Sequence, residues 1–280
     1  MATLDDFERA LLDTGGYDTP ASGRRMRPLR RGIRAWWRFY VSGVLRILLS
    51  GLSTRLRRGR SQRAFSEVTF ETVRAVESTG AHFHVEGGRN LAALAGTPRV
   101  YVANHSSLLE TFNLPCILGA FGPLTIVAKR SLAKYPLFGS CLRAVDPILL
   151  DRRSARRDLA DTLSQGRRHL AAGRSVLLFP QGTRAASFDP RKFNSLGAKL
   201  ARDAAVPLVP IACQTGFAQP GRLIRDVGPI DPSRPVRYAI GPALAPTLTQ
   251  AEIQKASTDF IASTLSAWES HQHNQTEEKP

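Results

Sequence analysis

From Ser66 onward the apolar residues fall into short, separated runs. Val100–Ala103, Thr125–Val127, Ile148–Leu150, Val176–Phe179, Leu208–Ala212 and Tyr238–Ile240 are each three to five residues long and rich in β-branched side chains. Runs of that length, bounded by turn residues, predict buried strands. Between them the spacing changes to helical. Ser154–Ala172 carries Leu159, Leu163 and Leu170 on one side and arginines on the other, with Gly173 as its stop. A last helix is predicted from Thr249, which forms a capping box with Glu252, through Ile253, Phe260, Ile261 and Leu265 to about Trp268; the polar tail beyond is expected to fray. Strands alternating with helices predict an α/β fold, a mostly parallel or mixed sheet flanked by helices on both faces. Val206–Pro210 has prolines at both ends, which reads as an edge or loop-flanked strand that could line a groove.

The N-terminal part has another character. Ile33–Leu56 is a helix candidate containing Trp36, Trp37, Phe39, Tyr40, Val44, Leu45, Leu48 and Leu49, but Arg46 splits it into uncharged runs of seven and eight. A spanning helix needs about 20 consecutive apolar residues. Tryptophans on an apolar face flanked by arginines suit a helix lying on an anionic membrane surface; the competing reading packs that face on the main domain. The expected organisation is therefore a basic amphipathic membrane-associating arm over residues 1–65, one catalytic domain over 66–270 and a disordered tail over 271–280.

Charge strengthens this division. The 280-residue chain has a net charge of +16, and thirteen arginines without a single acid lie between Arg24 and Ser66, which leaves +3 for the rest. Hydrophobic content of 42% and charged content of 22% disfavour both general disorder and a polytopic membrane protein. A nucleic-acid partner is not expected, because the arm is rich in aliphatic residues and no nucleic-acid module follows it. Cys116, Cys141 and Cys213 are far apart in apolar sequence, with neither a CxxC pair nor a disulfide framework, and read as buried packing residues. No secretory signal is read in Met1–Tyr17.

Chemistry is sought at the strand ends. His105 follows the strand Val100–Ala103, and Glu110 stands five residues on, in the first turn of a helical stretch. Such a carboxylate can fix one ring nitrogen while the other faces a substrate hydroxyl; the spacing equally suits a histidine capping the helix with Ser106 and Ser107. A second block, Phe179-Pro180-Gln181-Gly182-Thr183-Arg184, ends another strand and offers amides, a hydroxyl and a guanidinium to an anion. Lys129-Arg130, Tyr135–Gly139 and Leu150-Asp151-Arg152 add cations beside further loops. His82 and His84 share one strand face, with Glu86 beside them, and read as surface or core histidines. No metal site, cofactor motif or internal repeat is read.

In this order and at these distances the blocks resemble those of the glycerolipid acyltransferases, and more closely the bacterial 1-acylglycerol-3-phosphate acyltransferases, over roughly Ala81 to Gly241. That family has a His-x4-Asp block, a block ending in Asp-Arg, a Phe-Pro-Glu-Gly-Thr-Arg block and a Val-Pro-x-x-Pro block. Here they stand as His105 to Glu110, Leu150 to Arg152, Phe179 to Arg184 and Val206 to Pro210. The resemblance implies that His105 is the base, Glu110 its orienter, and Arg152, Gln181, Gly182, Thr183 and Arg184 the acceptor-phosphate site, with Lys129 a further anion or oxyanion contact. It implies transfer of an acyl group from acyl-CoA or acyl carrier protein to lysophosphatidate on the cytoplasmic face of the inner membrane, with peripheral or monotopic attachment. Glu110 and Gln181 depart from the family's Asp and Glu; the second leaves room for another lysolipid acceptor such as lyso-ornithine lipid. A membrane-surface binding protein without turnover is the alternative from another class.

Overall fold

The computed structural model describes residues 2–20, 32–43, 45–47, 49–50, 61–134, 139, 142–221 and 227–277. Its main helices are α1 (Leu4–Asp13), α2 (Ile33–Trp36, continued by a π-helix over Trp37–Ser42), α3 (Gln62–Ser78), α4 (Leu109–Gly119), α5 (Ala155–Ala171), α6 (Leu196–Asp203) and α7 (Gln250–Glu277). Its strands are β1 (Tyr17–Asp18), β2 (Phe83–Glu86), β3 (Val100–Ala103), β4 (Leu124–Lys129), β5 (Ile148–Leu150), β6 (Ser175–Leu178), β7 (Leu208–Gln214) and β8 (Val236–Ile240). They form one mixed sheet in the order β1-β2-β8-β7-β3-β6-β4-β5. Among the described strands β1–β2 and β7–β8 pair antiparallel and the others parallel.

The period of two along each strand divides the core between the two faces. Tyr101, Ala103, Leu177, Val209, Ile211 and Cys213 face a cluster built with α1, α3 and α4, through Phe7, Leu11, Phe65, Val73 and Leu114. Val100, Val102, Val176, Leu178 and Leu208 face a second cluster built with α5, α6 and α7, through Leu170, Leu200, Ile253 and Ile261. Helices therefore cover both faces, as the alternation of elements predicts. The helix ends also follow the sequence. Ser154 accepts from the Arg157 amide, Gly173 takes φ +77°, and Thr249 and Glu252 bond each other's backbone at 3.2 and 2.8 Å.

Three expectations change. Leu159 is exposed, and the buried side of α5 runs through Thr162, Gly166, His169 and Leu170, where a Cβ on Gly166 would come within 2.8 Å of Leu200. The strand with two prolines is no edge: β7 lies between β3 and β8 inside the sheet, and the part of it that lines a cavity beside His105 is its far end, Cys213 and Gln214, beyond the prolines. Pro210 is tolerated because the β7–β8 ladder begins only at Ile211, and its carbonyl still accepts from the Gly241 amide at 2.8 Å. The boundary at residue 65 cuts through α3. Ahead of it, α1 and β1 pack into the same core, with Phe7 and Leu11 fully buried, while at the other end α7 continues to Glu277.

The candidate interfacial helix has two apolar faces. Ala35 is buried, Phe39 and Tyr40 pack against the core, and Gly43 comes so near α3 that a Cβ there would lie 2.9 Å from that of Ala75. Away from the core, Ile33, Trp37, Val41, Leu45 and Leu49 are all exposed, four residues apart, beside Arg34, Arg38 and Arg46. An α-helix of about 3.6 residues per turn would let such a series drift around the axis; the wider π turns at Trp37–Ser42 offset the drift. No described helix is long and apolar enough to cross a membrane. Arg24, Arg25, Arg27, Arg30, Arg31, Arg55, Arg57, Arg58 and Arg60, the loop Tyr135–Phe138 and Cys141 lie outside the described residues. Cys116 and Cys213 are buried free thiols.

Candidate functional site

The site is built where β3 ends. Its loop, Asn104–Leu108, is turned by a carboxylate. Glu110 reaches back from the first turn of α4, with its Oε1 accepting from the Ser106 amide at 3.1 Å and from the Ser107 amide at 3.0 Å. The Ser106 hydroxyl donates to the same oxygen at 2.7 Å, and the Ser107 hydroxyl accepts from the Leu109 amide at 3.0 Å. The capping function is thus present, but Glu110 and Ser107 carry it, not the histidine. His105 Nδ1 stands 3.3 Å from Glu110 Oε2. Glu110 is completely buried. Burial pushes its carboxyl up, but the His105 hydrogen bond and charge, together with Thr215 and Ser106, outweigh that and hold it below the usual range. It is held as an anion against the imidazole.

The second block meets the first directly. The His105 amide donates to Gln181 Oε1 at 2.7 Å, its carbonyl accepts from the Ala185 amide at 2.9 Å, and its ring lies on Phe179 with centroids 4.5 Å apart. Pro180 and Gly182, the latter at φ +68°, turn the chain immediately after β6. Arg152 comes from the end of β5 and donates through Nη1 to the Gly182 carbonyl, holding the two blocks together. It does so from a left-handed backbone at φ +55°, which costs a non-glycine residue about 1 kcal/mol. Thr183 is exposed on the same turn. Of the predicted residues, Gln181 and Arg184 line the two cavities beside His105; Arg152, Gly182 and Thr183 line neither and form the turn next to them, and Lys129, exposed at the end of β4, lines neither.

Those cavities differ in chemistry. One, of about 450 Å³, is predominantly apolar, with Phe39, Tyr40, Leu109, Phe112 and Ala218 in its wall and Arg184 beside Ser106. The other, of about 560 Å³, is more polar and is lined by His105, Gln181, Ser187, Thr215 and Arg234. Ser106, Ala185 and Ala186 belong to both walls, so the loop carrying His105 and the turn after Arg184 together form the partition between them.

Residues 82–214 match the family model described as Acyltransferase. Over that stretch the chain is similar to acyltransferases. It is 37% identical over 137 residues, 49% of this chain and 51% of the relative, to the 1-acyl-sn-glycerol-3-phosphate acyltransferase of Pseudomonas aeruginosa. To an enzyme of the same name from Chlamydomonas reinhardtii it is 27% identical over 82% of this chain and 67% of the relative. The chain spans about half the length of the first of these. The fold is that of the 1-acyl-sn-glycerophosphate acyltransferase PlsC of Thermotoga maritima, with a TM-score of 0.62 at 22% identity over 84% of this chain and 95% of that one. The resemblance read in the four blocks therefore holds over residues 82–214.

Sequence reasoning missed two members of the site. Asn104 bonds Cys213 in both directions, its Nδ2 donating to the carbonyl at 2.9 Å and its Oδ1 accepting from the amide at 2.7 Å. Thr215 donates to Glu110 Oε1 from the end of β7. Residues 109 and 105 positions apart leave no local pattern to read. His84 Nδ1 hydrogen-bonds Asp18 Oδ1 at 2.9 Å, and His82 Nε2 lies 3.0 Å from the same oxygen.

Proposed function

We propose that this protein transfers a fatty acyl group from a thioester, acyl-CoA or acyl carrier protein, to the free hydroxyl of 1-acyl-sn-glycerol-3-phosphate at a membrane surface, giving phosphatidic acid. The observation that carries the reading is His105 at the wall between the two cavities, with Nδ1 on the buried Glu110 anion. That leaves Nε2 to take the proton of the acceptor hydroxyl. The freed oxygen attacks the thioester carbonyl, the carbon–sulfur bond breaks, and the thiolate leaves with the proton returned by the imidazolium. Glu110 stabilises the imidazolium meanwhile and is not itself protonated. The apolar cavity suits an acyl chain. Arg184 at its edge and the Arg152–Gly182–Thr183 turn suit a phosphate.

The membrane part of the proposal rests on the exposed series Ile33, Trp37, Val41, Leu45 and Leu49 beside Arg34, Arg38 and Arg46. The opposite face of the same helix, through Phe39, Tyr40, Gly43 and Ile47, lines the apolar cavity. A helix set into one leaflet would thus open the cavity toward lipid, in a peripheral or monotopic attachment to the cytoplasmic face of the inner membrane.

The test is acyl transfer by purified protein from a labelled thioester to lysophosphatidate and to other lysolipids, including lyso-ornithine lipid, with His105→Ala in parallel. Lysophosphatidate should be acylated, and the variant should lose about 10²- to 10⁴-fold, the usual share of a general base. Acylation of no lysolipid overturns the reading.

A further inference from the structure

Glu110 is held from two directions. Its own loop supplies the amides of Ser106 and Ser107 and the Ser106 hydroxyl, at 2.7–3.1 Å. The sheet supplies Thr215, just past the end of β7, whose hydroxyl donates to Oε1 and lies 2.8 Å from the Ser106 hydroxyl. Asn104 and Cys213 join the same strand end to the loop by their two-way bond, so Thr215 is fixed relative to β3 as well as β7. The donors are unequally divided. Ser106 and Thr215 bond only Oε1, whereas Oε2 takes the Ser107 amide at 3.0 Å and His105 Nδ1 at 3.3 Å. A carboxylate with two equivalent oxygens turns about its last carbon–carbon bond unless a rigid donor prevents it. The Ser106 amide is one such donor, from the loop itself, and Thr215 is the other: it is 1% exposed, and of these partners it alone comes from outside residues 105–107.

We propose that Thr215 is a positioning residue, whose hydroxyl, anchored by β7, fixes the rotation of the Glu110 carboxylate so that Oε2 faces His105 Nδ1. This rests on the reading of His105 as base and Glu110 as its orienter. The other titratable groups near Glu110 do not compete for it. Burial, helped by the Glu110 charge, pushes the Cys213 thiol and the Tyr238 hydroxyl well above their usual ranges, so both stay neutral, and Tyr238 accepts from Asn113 at 3.0 Å.

The experiment compares Thr215→Val, which removes the hydroxyl at nearly constant volume, with Thr215→Ser, which keeps it, in native and Glu110→Gln backgrounds. Expected is a fall in kcat of about tenfold for Thr215→Val, the size of one well-made hydrogen bond, with KM changed less than about twofold and most of the loss restored by Thr215→Ser. In Glu110→Gln the valine should cost no more than about twofold further, because it acts through the missing carboxylate. An equal cost in both backgrounds overturns the proposal. A second readout needs no turnover: the His105 imidazole titration by nuclear magnetic resonance, assigned with His105→Ala. Thr215→Val should lower its midpoint, since the imidazolium loses a fixed counter-ion; a midpoint that is unchanged or raised overturns the proposal even in a protein that acylates nothing. Failure of the base-and-orienter reading shows separately, as native turnover in His105→Ala and Glu110→Gln.

Discussion

Position 181 shows how one atom can keep a role while the residue type changes. A Glu there would bring an acceptor oxygen and a charge; Gln181 brings the oxygen without the charge, and that oxygen takes the His105 amide at 2.7 Å. Its contact in the structure is thus to the loop that carries the base, which explains why an amide serves where relatives have a carboxylate. Gln181→Leu should lower kcat/KM by about tenfold, through loss of one hydrogen bond to a partly buried amide. Gln181→Glu keeps the acceptor and should lose much less. Steady-state kinetics on the two variants checks this, and equal losses would return Gln181 to direct contact with the acceptor. The same logic separates what could be read at this scale from what could not. His105 and Glu110 are five positions apart and announce themselves at a strand end; Thr215 stands 109 positions past Ser106, with which its hydroxyl bonds, and becomes visible only when the sheet sets β7 beside β3.

The element that the sequence made most conspicuous is the helix from Ile33. Its composition predicted an apolar face and a basic border, and left open whether that face meets the domain or lipid. The structure has two apolar faces, one packed on the domain and one exposed. Phe39 meets Phe217 edge to face with centroids 5.2 Å apart and the Tyr40 hydroxyl accepts from the Gly228 amide at 3.0 Å, while Trp37 is 56% exposed. A hydropathy pattern cannot separate two apolar sides of one helix when both are continuous, and the π turns that align the outer series have no residue signature. The separation predicts different consequences for neighbouring aromatic residues. Trp37→Glu should leave the thermal midpoint within about 1 °C of native, because surface substitutions usually stay within about 0.5 kcal/mol. It should weaken sedimentation with vesicles containing anionic phosphatidylglycerol by about tenfold or more. Equal binding by variant and native protein would remove this face from the membrane proposal.

At the scale of the molecule, six of the eight strands were legible as short apolar runs, because strands buried on both faces have no polar alternation to disguise them. The strand β1 was not. It is two residues long, Tyr17–Asp18, too short to have a period, and it belongs to the sheet through pairing with β2. The short helix before it, α1, was passed over for a related reason: its first turn carries Asp5 and Asp6, which together with a Thr3 capping box make it look like solvated surface. Yet its inner side closes one end of the larger core. The Phe7 ring lies 4.6 Å from Tyr17, 5.1 Å from Phe70 and 6.4 Å from Phe83, joining α1, β1, α3 and β2. Arg63 on α3 adds ion pairs to Asp5 and Glu8 from outside. If residues 2–20 were an appendage, removing that ring would melt the appendage alone. Because Phe7 is fully buried in the cluster that also holds Leu114 and Tyr238, Phe7→Ala should instead destabilise the whole domain by about 3–5 kcal/mol. Urea unfolding followed by tryptophan fluorescence and by circular dichroism should then shift as one coincident transition. A separate early step, with the main transition where the native protein has it, would mean that the N-terminal helix folds onto the domain without being part of it.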